Sequence, residues 1–141
     1  MKKLGWGIGP WSTEPDAVDW MTRVGLRGVI LRDDELGTWA GYVGLPPGHP
    51  ATLRDVDTLH AHGGVNFGPK ESSRPKLRGS GLLWVGFDCA HAGDLVPAFF
   101  GRSRLVIGEY RNVTYVREQV EDLAYQLSRV LRAGAGVSPL N

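Results

Sequence analysis

Cysteine is nearly absent from this chain: its 141 residues hold one, Cys89. A disulfide framework within the chain is therefore excluded, and a reducing compartment is the natural expectation. Long apolar runs are missing as well. No stretch approaches the roughly 20 apolar residues of a membrane span. The opening MKKLGWGIGPW has two lysines but no apolar run of the kind a signal peptide needs. These absences predict a cytoplasmic protein with no membrane partner. Nor does one sign of charge dominate. Lys plus Arg is 16 and Asp plus Glu is 15, a net charge of +1. A protein that wraps nucleic acid carries a stronger basic bias, so the balance argues against nucleic acid as partner. Lys70, Arg74, Lys76 and Arg78 do cluster, but such a run reads first as a solvated loop.

Glycine and proline, by contrast, are plentiful at 20 and 9, which predicts short elements joined by many turns. With 42% hydrophobic and 22% charged residues the chain is close to a globular average, which excludes disorder, collagen-like sequence or a bare coiled coil as its description. The length suits one domain. Residues 1–133 are expected to form it, with 134–141 as a loose tail.

The glycine-rich arm at 1–11 carries Trp6 and Trp11, which are expected to lay their indoles on the core. Thr13 and Asp16 have capping-box spacing and Pro15 suits a first helical turn, so a short helix is predicted to run to about Arg23. Val29, Ile30 and Leu31 read as a strand, and Trp39 to Val43 as its return, making 28–43 a hairpin. Residues 68–80 read as a polar loop. Leu82 to Phe87 is a strand apolar enough to be interior, and 105–107 is a further candidate strand. Val113, Val116, Val120, Leu123, Leu127, Val130 and Leu131 recur at helical intervals, with Asn112 as N-cap and Gly134 as stop. The expected fold is α+β: a small, mainly antiparallel sheet packed by a long C-terminal helix and a short N-terminal helix.

Three of the four histidines and the only cysteine fall in two segments, His60-Ala61-His62-Gly63-Gly64 and Phe87-Asp88-Cys89-Ala90-His91-Ala92-Gly93-Asp94. Were the second segment helical, Asp88, His91 and Asp94 would share a face and offer oxygen and nitrogen ligands to a divalent metal such as zinc or manganese. Cys89 at a helix start would gain thiolate character, with His62 or His91 as base, giving a catalytic set His62, Cys89 and His91. Gly63 and Gly64 allow close backbone approach to an anion, with Tyr42 and His49 as further ligand-binding candidates. The competing reading is structural: Asp88 as a cap, His91 bonded to a buried carbonyl, and Cys89 as a small buried hydrophobe. Either way, His62 and His91 should lie within about 10 Å of each other, the scale of a shared site.

The blocks GPWSTEPD (9–16), GLRGVILRDDELGTWAGYVGLPPGHP (25–50), HGGVNF (62–67), WVGFDCAHAGDLVP (84–97) and YRNVTYVREQVEDLAYQL (110–127) together resemble a family of small bacteriophage and prophage proteins. The resemblance covers most of the chain and is most distinctive at FDCAHAGD. It carries over His49, His62, Asp88, Cys89, His91 and Asp94. Where relatives tend to have Leu-Thr-Tyr or Leu-Thr-Phe after the glycine pair, this chain has Val65-Asn66-Phe67. The resemblance implies a phage origin, action in the cytoplasm of a host cell, and no particular activity. The functional expectation is a phage accessory protein with a small-ligand or nucleotide site at the HGG/DCAHAGD cleft, supporting metal-assisted hydrolysis. The alternative is a non-enzymatic protein that binds or inhibits a host protein, with the motif as a structural clasp. A third reading makes the basic loop 70–78 a nucleic-acid contact.

Overall fold

A computed structural model describes residues 3–51, 53–100 and 108–130. Three consecutive strands open the sheet. β1 (Ala17–Met21) turns tightly through Thr22–Leu26, where the Thr22 hydroxyl donates to the Leu26 carbonyl and accepts from its N–H. β2 (Arg27–Arg32) follows, and the Asp33 carboxylate accepts the N–H groups of Glu35 and Leu36 in the next turn. β3 (Trp39–Leu45) completes the meander. The chain then leaves the sheet through a short helix, α1 (Leu53–Val56), and returns as β4 (Phe67–Lys70) at the far edge. β5 (Leu83–Asp88) inserts between β3 and β4, giving the order β1-β2-β3-β5-β4 with every neighbouring pair antiparallel. α2 (Pro97–Phe100) and α3 (Val113–Ser128) end the described chain.

The period-two alternation of strands divides the core. Ile30, Trp39, Val43, Leu45, Val85 and Phe87 face α3 and meet Val116, Val120, Leu123 and Leu127, all four fully buried. Gly41 lets the helix sit this close: a Cβ there would stand 2.7 Å from Val120 and 2.6 Å from the Phe87 ring. The opposite face carries Val29, Leu31, Tyr42 and Trp84 under Leu77 of the 71–82 loop. Trp6 and Trp11 pack with Ala98 in a third cluster, as expected of the arm.

Asn112 caps α3 by accepting the Tyr115 N–H, and the fold is α+β as the periodicities indicate. Two expectations are corrected. The predicted N-terminal helix is β1, preceded only by 3-10 turns at Lys3–Trp6 and Pro10–Ser12. Val18 and Trp20 point to the α3 side while Asp19 and Met21 stay exposed, so the segment alternates rather than spirals. The polar loop begins later than expected, because Phe67–Lys70 pairs with β5 across a register shift. The candidate strand at 105–107, Leu131, the stop at Gly134 and the tail at 134–141 lie outside the described residues. Among the described residues no helix is long and apolar enough to cross a membrane.

Candidate functional site

The two histidine segments meet where β5 ends and α3 begins. The Gln126 side chain bonds both the N–H and the carbonyl of His60, which lays the 60–64 loop along α3. The 89–95 loop is closed on the other side by Glu109, whose carbonyl accepts the Leu95 N–H. The His62 and His91 rings lie 6.1 Å apart, within the expected distance.

At the centre is Asp94, with its side chain 1% exposed. His62 Nε2 approaches both carboxylate oxygens, at 2.8 and 2.9 Å. Arg111 Nε donates to Oδ1 at 2.9 Å, and the His91 N–H donates to Oδ2 at 3.0 Å. Burial alone would raise the Asp94 pKa, but the bonds from His91, His62 and Arg111 outweigh it and hold the carboxyl below its ordinary value. An ionised carboxylate only accepts, so His62 Nε2 carries the hydrogen. The other ring nitrogen, Nδ1, lies 2.7 Å from the Tyr115 hydroxyl. That hydroxyl can donate to neutral imidazole or accept from imidazolium, so either protonation state is satisfied. Burial raises the Tyr115 pKa, and the Arg111 guanidinium, 5.1 Å over its ring, only partly opposes this. The carboxylate–imidazole–hydroxyl line therefore ends in a phenol whose free ionisation burial disfavours.

His91 is different. Its Nε2 lies 3.0 Å from Asp88 Oδ1, in a pair whose side chains are 35% and 41% exposed. The approach lacks hydrogen-bond geometry, and that nitrogen is itself buried without a bonded partner. Asp88 also accepts from Asn66 Nδ2 and the Ala90 N–H. Gly63 lies against the His91 ring with φ +70°, and a Cβ there would come within 2.3 Å of Nε2. Here glycine is required twice over, by the backbone and by the contact.

Several site expectations are corrected. Cys89 starts no helix: residues 89–96 are turns, and its N–H extends the β3–β5 pairing to the Trp39 carbonyl. Burial, with Asp94 and Asp88 adding to it, pushes the thiol up to about 12, so it is a thiol in the core and no nucleophile. Without a helix, Asp88, His91 and Asp94 share no face. The first two pair with each other while Asp94 turns to His62 and Arg111. Among the described residues no three His, Cys, Asp or Glu side chains converge to hold a metal ion. His49 sits apart, with Nδ1 accepting the Ala51 N–H and the Leu127 carbonyl near its ring. Leu127 is twelve residues beyond Tyr115, about 18 Å along α3. Burial lowers the His49 pKa, and the nearby Leu127 carbonyl only partly opposes this. Tyr42 belongs to the other sheet face, where its hydroxyl accepts from Arg74. Gly64 donates its N–H to the Ala61 carbonyl within the turn.

Arg111 and Tyr115 carry no signal beyond their place beside the Asn112 cap. A second polar network had a readable one: Arg32 in an apolar strand. Its side chain is 2% exposed, bonds Asp16 and Glu14, and stacks 4.4 Å over Trp39. Glu14 in turn accepts the Tyr110 hydroxyl and the Val113 N–H at the head of α3.

Among the described residues, fold and site define a small antiparallel sheet packed by a long helix, whose histidine motif is internally bonded at its centre and leaves His91 Nε2 without a bonded partner. Comparison with protein-family models, with curated proteins and with solved structures finds no match for this chain.

Proposed function

We propose that this is a non-enzymatic accessory protein of bacteriophage type that binds a host protein in the cytoplasm, with the His62–Asp94 group as a structural clasp. The saturation of Asp94 carries the clasp; the partner-binding part rests on the resemblance to bacteriophage proteins. A buried carboxylate holding an imidazole, a guanidinium and a main-chain N–H joins two loops to α3 and leaves no acceptor for a ligand. The thiol is locked in the core. Native mass spectrometry with elemental analysis, on protein purified without a metal-affinity step, is expected to give the mass of the bare chain. A retained small molecule or a stoichiometric metal would overturn the reading.

A second reading, a small-ligand or nucleotide site with His91 as acid–base and Asp88 orienting it, is favoured by one observation: the buried His91 Nε2 without a bonded partner beside Gly63. Under the clasp reading, His91→Gln and Asp88→Asn sit on a half-exposed pair and change stability by no more than about 0.5 kcal/mol. Neither changes partner binding. Under the second reading, nucleotides titrated into the protein would shift the His91 ring proton signals, and His91→Gln would abolish binding.

A further inference from the structure

We propose that the outer edge of β1 accepts an extended segment of the partner as an additional strand, and that this segment carries basic side chains. The inference rests on the partner-binding reading above. Strand addition needs an edge with unpaired main-chain groups, room beside it, and side chains that select the guest.

Alternate residues of an antiparallel strand bond to one neighbour. The Arg32 N–H bonds the Asp16 carbonyl and the Thr22 N–H bonds the Leu26 carbonyl, with Ala17↔Leu31 to Met21↔Arg27 in register between them. Asp16, Val18, Trp20 and Thr22 therefore face β2. Ala17, Asp19 and Met21 turn their N–H and carbonyl groups outward at the end of the sheet. Natural edges are blunted by bulges, proline, brevity or charged side chains, lysine above all. The far edge is: β4 has four residues, a register shift, Pro69 and an exposed Lys70. β1 has five residues and contains neither proline nor lysine, and its pairing with β2 is regular. The one charge on β1, Asp19, is already paired with Arg27. Met21 is 63% exposed and Val24 38%, which extends the open edge with apolar surface at the hairpin end.

The charges choose the guest. A second copy of this chain, paired antiparallel through all three outward residues, would set Asp19 opposite Asp19, with each Arg27 on the far side. A foreign strand with Lys or Arg at that place would instead continue the line Arg27–Asp19–cation. Past Met21, a hollow of about 270 Å³ is lined by Arg23, Val24, Glu118, Glu121, Asp122 and Tyr125. Its three carboxylates outnumber its one guanidinium, which already pairs with Glu118. A basic side chain could enter it only from the other face of the guest strand, an odd number of residues from the one that meets Asp19.

The test is titration of ¹⁵N-labelled protein with an alternating lysine–valine heptapeptide and with its glutamate–valine counterpart. Amide shifts and slowed hydrogen exchange are expected at Ala17, Asp19 and Met21, with the lysine peptide the tighter binder. Met21→Pro removes one outward donor and no bond to β2, so it should weaken binding about five- to tenfold while the protein stays folded. Asp19→Lys should reverse the preference between the two peptides, which keeps the test independent of the proline variant. Absence of binding, shifts confined to another surface, or an edge protected without peptide in a dimeric protein would each overturn the proposal. Should the edge stay silent while native mass spectrometry still finds a bare chain, only the edge falls. Should the 89–94 amides respond to a nucleotide instead, the partner-binding reading falls with it.

Discussion

Asp94 shows how one side chain can set the character of a motif. Asp94→Asn keeps the shape but puts an amide N–H₂ where three donors converge. A cost of about 1.5–3 kcal/mol is expected, the range for bonds to a charged group. Denaturant titration measures it. The pH dependence has a definite sign. The folded pKa of Asp94 lies below the ordinary 3.8, so its stabilisation is complete above that value and lost as pH falls through the lower folded one. Asp94→Asn should remove that part of the acid limb in a series of melting temperatures against pH. The proximity of His62 and His91 was legible because histidine is scarce here and concentrated in two turn-like segments. The partners of Asp94 were not. An arginine and a tyrosine at a helix start look like any others until the loop that they hold is in place.

Among the elements, α3 is the one whose loss would be felt most. Leu123 is fully buried between helix and sheet, and Leu123→Ala should cost about 2–5 kcal/mol in chemical denaturation. A change of a few tenths with the helix intact would mean that the stripe waits for a partner. This helix, the β2–β3 hairpin and β5 were readable because their apolar periods are local and uninterrupted. β1 was not, because the residues that imitate a helix start are employed elsewhere. Glu14 and Asp16 hold Arg32, and Lys3 reaches Asp16 and the Glu14 carbonyl. Acidic residues ahead of an apolar segment suit both a cap and a buried ion pair, and only the tertiary partner decides. β4 is hard to read in the sequence for a different reason. An edge strand of four residues with a bulge and a proline carries almost no periodic signal.

Across the whole molecule, the Glu14–Arg32–Tyr110 network fastens the arm, the sheet and the head of α3 into one unit. Glu14→Gln would leave the buried Arg32 guanidinium with Asp16 as its remaining carboxylate partner. A loss of about 3 kcal/mol is expected. Because the same carboxylate receives the Val113 N–H, hydrogen exchange should quicken together in β2 and in the first turn of α3. Exchange confined to the arm would show that the three parts open separately. The network also orients the sheet ends: it lies at the β2–β3 turn, while the open hairpin end of β1 lies beside the outer face of α3.

The strand order has a consequence in time. Residues 17–45 pair locally and can form the meander as soon as they are made, but the helix that covers Ile30, Trp39, Val43 and Leu45 is complete only at Leu127. That is 127 minus 45, or 82 residues later, and roughly 4–16 s at ordinary rates of synthesis. For that interval the nascent chain presents an apolar sheet face with an unblunted edge beside it. Ribosomes stalled before the codon for Leu127 should hold chains that bind chaperones and aggregate when released, while the full 141-residue chain should reach the native state on release.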